Sequence, residues 1–266
     1  VKQGFKGHIY CTHPTVELLG YMLRDSAFIQ EKEVEYLNEK KKVAGEEIIE
    51  PLYTTEDVEK TLPLVKGLPY DEVVKLFGTE DIQIIFREAG HILGSAITVI
   101  TVLDEEDEKV KRLAYTGDLG RNNMPLIRNP YQIEEVEYLM MESTYGNRLH
   151  ESILEAEAKL AEIVKTTAAR GGKILIPAFS LGRTQEIIYE LHKLSDEKKI
   201  PELPVYVDSP LSVNLTEVFR NNLDVLDEDT KKLFLQEHED PFNFPELHYT
   251  QSVEEFIDGI VRWLHL

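Results

Sequence analysis

Hydrophobic and polar positions alternate most clearly in residues 87–120, and the rest of the chain is interpreted around this stretch. Two runs of strand-forming residues, 96–103 and 110–115, flank a charged turn at 104–109. This pattern predicts a β-hairpin with a solvated acidic tip. His91 lies just before the first strand and Asp118 just after the second. Because a hairpin brings its own two ends together, we expect these two side chains to be neighbours.

The residues around His91 and Asp118 suit a metal site. Both lie between glycines, in the segments GHILG and TGDLG, and glycine lets a backbone bend tightly. An imidazole and a carboxylate that meet at strand ends can form half of a zinc site. The spacing leaves a second interpretation open, a polar loop with an ordinary hydrogen bond between the two side chains.

A third strand end is also rich in polar residues. The apolar run 136–141 predicts a strand, and ESTYGNR, which begins at Glu142 and contains Tyr145, follows it. Polar residues that cluster where strands stop are typical of a site built on a rigid sheet. A single acid at a strand end is more often a helix cap or a surface residue, so Glu142 alone is weak evidence for a functional site.

The pattern changes near residue 150. Helices are predicted at 152–169 and from 180 onward, and short strands at 173–177 and 205–207. Strands that alternate with helices indicate a parallel sheet, so we expect two domains, 1–149 and 150–266. Ser180 and Arg183 lie where a helix begins, a position that favours anions such as phosphate. The alternative there is a plain helix cap with a surface arginine.

Composition narrows the classes of function. The 266 residues carry 29 basic and 49 acidic side chains, for a net charge of −20. This charge argues against broad, non-specific nucleic-acid binding, but it allows a local basic groove or a metal that supplies positive charge. No apolar run approaches the length of a membrane span. The single cysteine, Cys11, cannot form an internal disulfide and favours a cytoplasmic protein.

Five motifs together resemble a known family. GHILGSA, TGDLG, ESTYGNR, PAFSLGRTQE and VDSPL, in this order, resemble the β-CASP group of the metallo-β-lactamase fold, which contains RNA-processing nucleases. The resemblance covers residues 3–253. It implies an α/β fold, part of a four-layered αββα sandwich that carries two zinc ions, with an inserted α/β domain. It implies that His91 binds one zinc, that Asp118 bridges both, and that Glu142 lies beside them and is needed for activity.

The resemblance also implies a function. The expected activity is zinc-dependent hydrolysis of RNA phosphodiester bonds, as an endonuclease, an exonuclease or both, and Ser180, Arg183 and Tyr145 are the candidate RNA-binding residues. Two alternatives stay open: a non-catalytic scaffold subunit of an RNA-processing complex, and another hydrolase of the same fold. A homodimer and membership of an RNA-processing complex are both compatible with these residues.

The chain departs from the family at its metal ligands. The main ligand motif, His-x-His-x-Asp-His, does not occur in the sequence, and the family's two later histidine motifs are not recognisable. We therefore expect the 266 residues to be an internal piece of a longer protein. Because two ligands cannot hold two zinc ions, we expect this piece alone to bind zinc weakly and to be inactive.

Overall fold

The computed structural model describes residues 1–79, 81–104, 109–250 and 255. It divides into two compact units, Val1–Tyr70 and Asp71–Leu266. The tip of the predicted hairpin, residues 105–108, lies outside the described residues, and so does the end of the predicted second domain after residue 250, apart from residue 255.

The first unit is organised around one long helix. Its elements in order are β1 (Ile9–Thr12), α1 (His13–Ala44), α2 (Thr55–Thr61), a 3-10 turn (Leu62–Leu64) and β2 (Val65–Leu68). Pro14 lies in the first turn of α1, where its missing N–H leaves no hydrogen bond unmade. Gly45 ends the helix in the left-handed conformation, with φ at 74°. Strand β2 then returns to pair with β1 in parallel.

The second unit begins with a five-stranded sheet. Its strands are β3 (Val74–Lys75), β4 (Ile82–Glu88), β5 (Ala96–Asp104), β6 (Lys109–Tyr115) and β7 (Tyr138–Met140), and they lie side by side in this order. The first three pairings are antiparallel, whereas β7 joins β6 in parallel. Strands β5 and β6 form the predicted hairpin, in which Thr98 faces Tyr115.

Helices and two further strands complete the second unit. They are α3 (Ile153–Ala169), α4 (Arg183–Asp196), β8 (Val205–Asp208), α5 (Pro210–Asn221), a 3-10 turn (Leu223–Val225), α6 (Glu228–Lys232), a π-helical turn (Leu233–Glu237) and β9 (Leu247–Thr250). Ser152 caps α3 and forms a reciprocal capping box with Glu155. Strands β8 and β9 pair in parallel. Helices α3 and α4 share a core of Ala161, Val164, Leu191, Leu194 and Ile200.

The expectation of a buried strand at 173–177 is wrong. These residues form no strand in the structure, and Leu175 is 86% exposed. A strand needs a neighbour to satisfy its backbone N–H and C=O groups, and no pairing of these residues occurs within the described part of the chain. The residue pattern of one segment does not show whether another strand is available to pair with it.

The elements confirm the predicted α/β class. The predicted domain boundary near residue 150 falls inside the second compact unit. The division at residue 70 does not test that boundary, which stays a prediction. Within the described ranges, no helix combines the length and the apolar character that crossing a bilayer requires.

Candidate metal centre

The β5–β6 hairpin places His91 and Asp118 beside each other. The distance from His91 Nε2 to Asp118 Oδ2 is 3.9 Å, although 27 positions separate the two residues in the sequence. Both side chains are accessible, 43% exposed for His91 and 78% for Asp118. The two groups therefore lie together at one edge of the sheet, where a ligand can reach both.

Close backbone contact fixes the two loops that carry these residues. The N–H of Gly120 donates to the carbonyl of Ala89 at 2.9 Å, which ties the loop after β6 to the end of β4. A Cβ added at Gly120 would overlap the Gly90 carbonyl oxygen. Within the first loop, Ser95 Oγ accepts the N–H of His91 at 3.2 Å. Glycine at position 120 is thus a steric requirement of the site.

A buried acid that sequence reasoning missed supports the His91 loop. Glu88 is only 8% exposed, and its Oε1 accepts the Gly90 N–H at 2.8 Å. Arg128 Nη2 lies 3.8 Å from Glu88 Oε2. Burial raises the pKa of Glu88 to about 7, although the hydrogen bond from Gly90 and the charge of Arg128 act in the opposite direction. The sequence did contain a signal for the burial of Glu88. Alternate residues of a strand face the same side, so position 88 lies on the same buried face of β4 as Ile84 and Phe86.

Glu142 lies at the same edge of the sheet. Its Oε1 accepts a short hydrogen bond from the N–H of Leu119, which is next to Asp118 in the chain. Its own N–H donates to Thr116 Oγ1 at 3.3 Å. The hydrogen bonds from Leu119 and Thr144 hold the pKa of Glu142 below its usual value, and the nearby charge of His91 adds to this effect. Three strand ends therefore contribute His91, Asp118 and Glu142 to one region.

The start of α4 lies against the His91 loop. A Cβ added at Gly182 would come within 3.0 Å of Ile92 Cγ2, so the backbone of Gly182 packs against the Ile92 side chain. Arg183 follows Gly182, but its Nη1 lies 2.7 Å from Glu186 Oε2 in an ion pair. Burial raises the pKa of Glu186, and the charges of Arg183, Arg121 and His91 oppose that rise. Arg183 is therefore close to the candidate site and is already bound to an acid.

The other two candidate binding residues occupy different surroundings. Ser180 Oγ lies 3.2 Å from Ser209 Oγ, which joins the loop before α4 to the loop after β8. Tyr145 is 53% exposed and has a left-handed backbone, with φ at 57°. The guanidinium of Arg148 lies 4.2 Å from the centre of the Tyr145 ring. Ser180 is thus tied into the scaffold, whereas Tyr145 faces solvent.

His91 and Asp118 fit one edge of a zinc site. Two ligand atoms about 2.1 Å from a tetrahedral zinc ion lie about 3.4 Å apart, so a separation of 3.9 Å needs only a small side-chain rotation. Nitrogen and carboxylate oxygen are both ligands that zinc accepts. Across the described residues, however, no three His, Cys, Asp or Glu side chains come together as a metal-binding group. The two residues are compatible with part of a ligand set.

Comparison with known proteins gives matches along most of the chain. The model of the Beta-Casp domain matches residues 184–261. The chain is 28% identical over 253 residues to Ribonuclease TTHA0252 of Thermus thermophilus, covering 95% of the chain and 52% of that protein. It is 33% identical over 244 residues to Transcription termination factor FttA of Methanosarcina mazei, covering 91% and 35%.

A eukaryotic relative extends the comparison. Endoribonuclease YSH1 of Saccharomyces cerevisiae is 28% identical over 263 residues, which cover 97% of the chain and 32% of that protein. The chain thus spans 32% to 52% of the length of these relatives.

Proposed function

We propose that the chain is part of a β-CASP nuclease of the metallo-β-lactamase fold, and that the whole protein hydrolyses phosphodiester bonds of RNA at a zinc site built on His91 and Asp118. The observation that carries the proposal is the 3.9 Å approach of these two side chains, with Glu142 held at the same sheet edge. The similar proteins named as ribonuclease and endoribonuclease support the reaction class.

The proposed cofactor is a pair of zinc ions. His91 would contribute an imidazole nitrogen and Asp118 two carboxylate oxygens, which suit it to bridging. When bound, the ions would supply positive charge for the phosphoryl oxygens and lower the pKa of water towards about 7. We propose that the remaining ligands come from parts of the whole protein other than these 266 residues, since two side chains are too few for two ions.

The acidic residues have separate roles in this proposal. Hydrolysis joins the oxygen of a water molecule to phosphorus and breaks one P–O ester bond, so the water must be oriented and its proton accepted. The lowered pKa of Glu142 keeps its side chain as a carboxylate at neutral pH. A carboxylate can accept hydrogen bonds but cannot donate one, so we assign Glu142 to orienting the water or a ligand histidine.

Substrate contacts are proposed on the side of the site formed by α4 and the segment after β7. Arg183 and Ser180 would meet the phosphate backbone near the start of α4, where backbone N–H groups also favour anions. Arg183 would have to exchange its ion pair with Glu186 for this contact. Tyr145 would contribute an exposed aromatic surface. We further propose action in the cytoplasm, either as a homodimer or within an RNA-processing complex.

RNA cleavage by the whole protein tests the proposal. We expect cleavage of a single-stranded RNA to require zinc and to fall by at least about a thousandfold in Asp118→Asn, because a neutral amide would hold the zinc ions far more weakly than a carboxylate and the positive charge that stabilises the developing negative charge would be lost. Asp196→Asn is the matched control, since Asp196 is an exposed acid at the end of α4. Cleavage that survives Asp118→Asn at the level of the control would refute the assignment.

A further inference from the structure

Arg148 differs from most arginines of this acidic chain. In the second unit, Arg87, Arg183 and Arg220 each form an ion pair of 2.8 Å or less with a neighbouring acid. Among the residues that the structure describes, no acid pairs with Arg148. Its guanidinium instead lies 4.2 Å from the centre of the Tyr145 ring. The fold therefore holds a positive charge in place without neutralising it.

Tyr145, Arg148 and His150 form one small group, which we call the Tyr145 cluster. The His150 ring meets the Tyr145 ring edge-on, with 5.3 Å between ring centres. A turn supports the arrangement, because the N–H of Arg148 donates to the carbonyl of Tyr145 at 3.1 Å. All three residues are exposed. The cluster therefore presents an exposed aromatic ring beside a cation that no acid among the described residues neutralises.

The Tyr145 cluster lies next to the proposed catalytic region. Tyr145 follows Thr144, whose side chain and backbone both form hydrogen bonds with the Glu142 carboxylate. The Glu142 carboxylate in turn accepts from Leu119, beside Asp118. A strand of RNA whose scissile phosphate lies at Asp118 would therefore have neighbouring nucleotides within reach of the cluster.

We propose that the Tyr145 cluster is a binding subsite for single-stranded RNA, in which the Tyr145 ring stacks on a base and Arg148 binds the adjoining phosphate. Aromatic stacking on bases is tolerant of sequence, because every base has a flat face. A guanidinium stacked on a ring keeps its N–H donors at its edge, where a phosphate oxygen can meet two of them. This inference rests on the proposed function and adds to it Arg148, a cation that, unlike Arg183, would bind a phosphate without first giving up an ion pair.

Binding and cleavage together test the subsite. The whole protein, stripped of metal with EDTA to prevent cleavage, is titrated with a fluorescent oligouridine of about eight nucleotides, within the range of single-strand site sizes. Fluorescence anisotropy gives the dissociation constant across a series of KCl concentrations. We expect Tyr145→Ala to weaken binding about tenfold, and Tyr145→Phe, which keeps the ring, to stay within about twofold.

The arginine is tested by salt dependence. Arg148→Ala should weaken binding and reduce the slope of log affinity against log salt by about 0.7, the value for one lost phosphate contact on a single strand. Tyr145→Ala should leave that slope unchanged. Arg170→Ala is the matched control, because Arg170 is an exposed arginine at the far end of α3, about 25 Å along the helix from its start.

The outcomes separate this inference from the proposed function. If Arg148→Ala changes affinity and slope no more than Arg170→Ala, or if Tyr145→Phe binds as poorly as Tyr145→Ala, the subsite is refuted even when the unmodified protein cleaves RNA. If the expected losses occur but the zinc-loaded protein does not cleave RNA, the subsite stands and the proposed hydrolysis fails.

Discussion

Replacing Glu88 by glutamine should change how stability depends on pH. The carboxyl of Glu88 is buried under the His91 loop, where its Oε1 accepts the Gly90 N–H. Glutamine keeps a carbonyl oxygen for that hydrogen bond and has nearly the same volume, but it cannot ionise. The Glu88→Gln variant therefore isolates the cost of burying the charge.

The magnitude follows from the pKa of Glu88, which burial raises from 4.5 to about 7. In the folded state the protonated carboxyl of Glu88 is preferred. Its contribution to the free energy of unfolding is therefore complete below pH 4.5 and is lost as the pH rises through about 7. A difference of 2.5 pKa units at 1.36 kcal/mol per unit gives about 3 kcal/mol. Relative to Glu88→Gln, the free energy of unfolding of the unmodified protein should fall by about 3 kcal/mol as the pH rises from below 4.5 to above 7.

Urea unfolding of both proteins, metal-free and at a series of pH values, measures this difference. The other carboxyl groups titrate in both proteins and cancel in the comparison. We expect the two curves to separate progressively above pH 4.5, with Glu88→Gln the more stable protein at pH 8. A constant difference across the pH range would refute the buried, protonated state. A separation of opposite sign would show instead that Glu88 is ionised and stabilised by Arg128.

Two further substitutions probe the site itself. Gly120→Ala should destabilise the protein by about 3 kcal/mol or more, because the added methyl group would overlap the Gly90 carbonyl. Gly20→Ala is the control and should be tolerated, because the added atom meets only Arg24 Nη1 at 3.5 Å. Thermal unfolding of the two variants compares their stabilities. Glu142→Gln should leave the circular dichroism spectrum unchanged and lower kcat for RNA cleavage by about 10- to 100-fold, the usual cost of losing a group that orients a metal ligand. An unchanged kcat would remove Glu142 from the proposed orienting role.

Local sequence signals were sufficient for the hairpin and its two polar ends. The strand pattern of β5 and β6, together with the glycines around His91 and Asp118, specifies a tight hairpin whose ends must meet. Helix caps were equally readable, since the Ser152 and Thr54 capping boxes depend on residues three positions apart. In each case the interacting groups are close in sequence or joined by one turn.

Contacts between distant segments were not predictable in the same way. Glu88, which supports the His91 loop, lies 3.8 Å from Arg128, a residue of a loop 40 positions later in the chain. The expected strand at 173–177 has suitable residues but no pairing neighbour in the described structure. Family resemblance supplied the roles of His91 and Asp118, which remain predictions.

The zinc content of the whole protein, measured by elemental analysis before and after His91→Ala, tests the central proposal most directly. We predict two zinc ions per chain in the unmodified protein, and the loss of at least one of them in His91→Ala together with the loss of RNA cleavage. Full zinc content and undiminished cleavage in His91→Ala would contradict the assignment of the hairpin ends as the metal site.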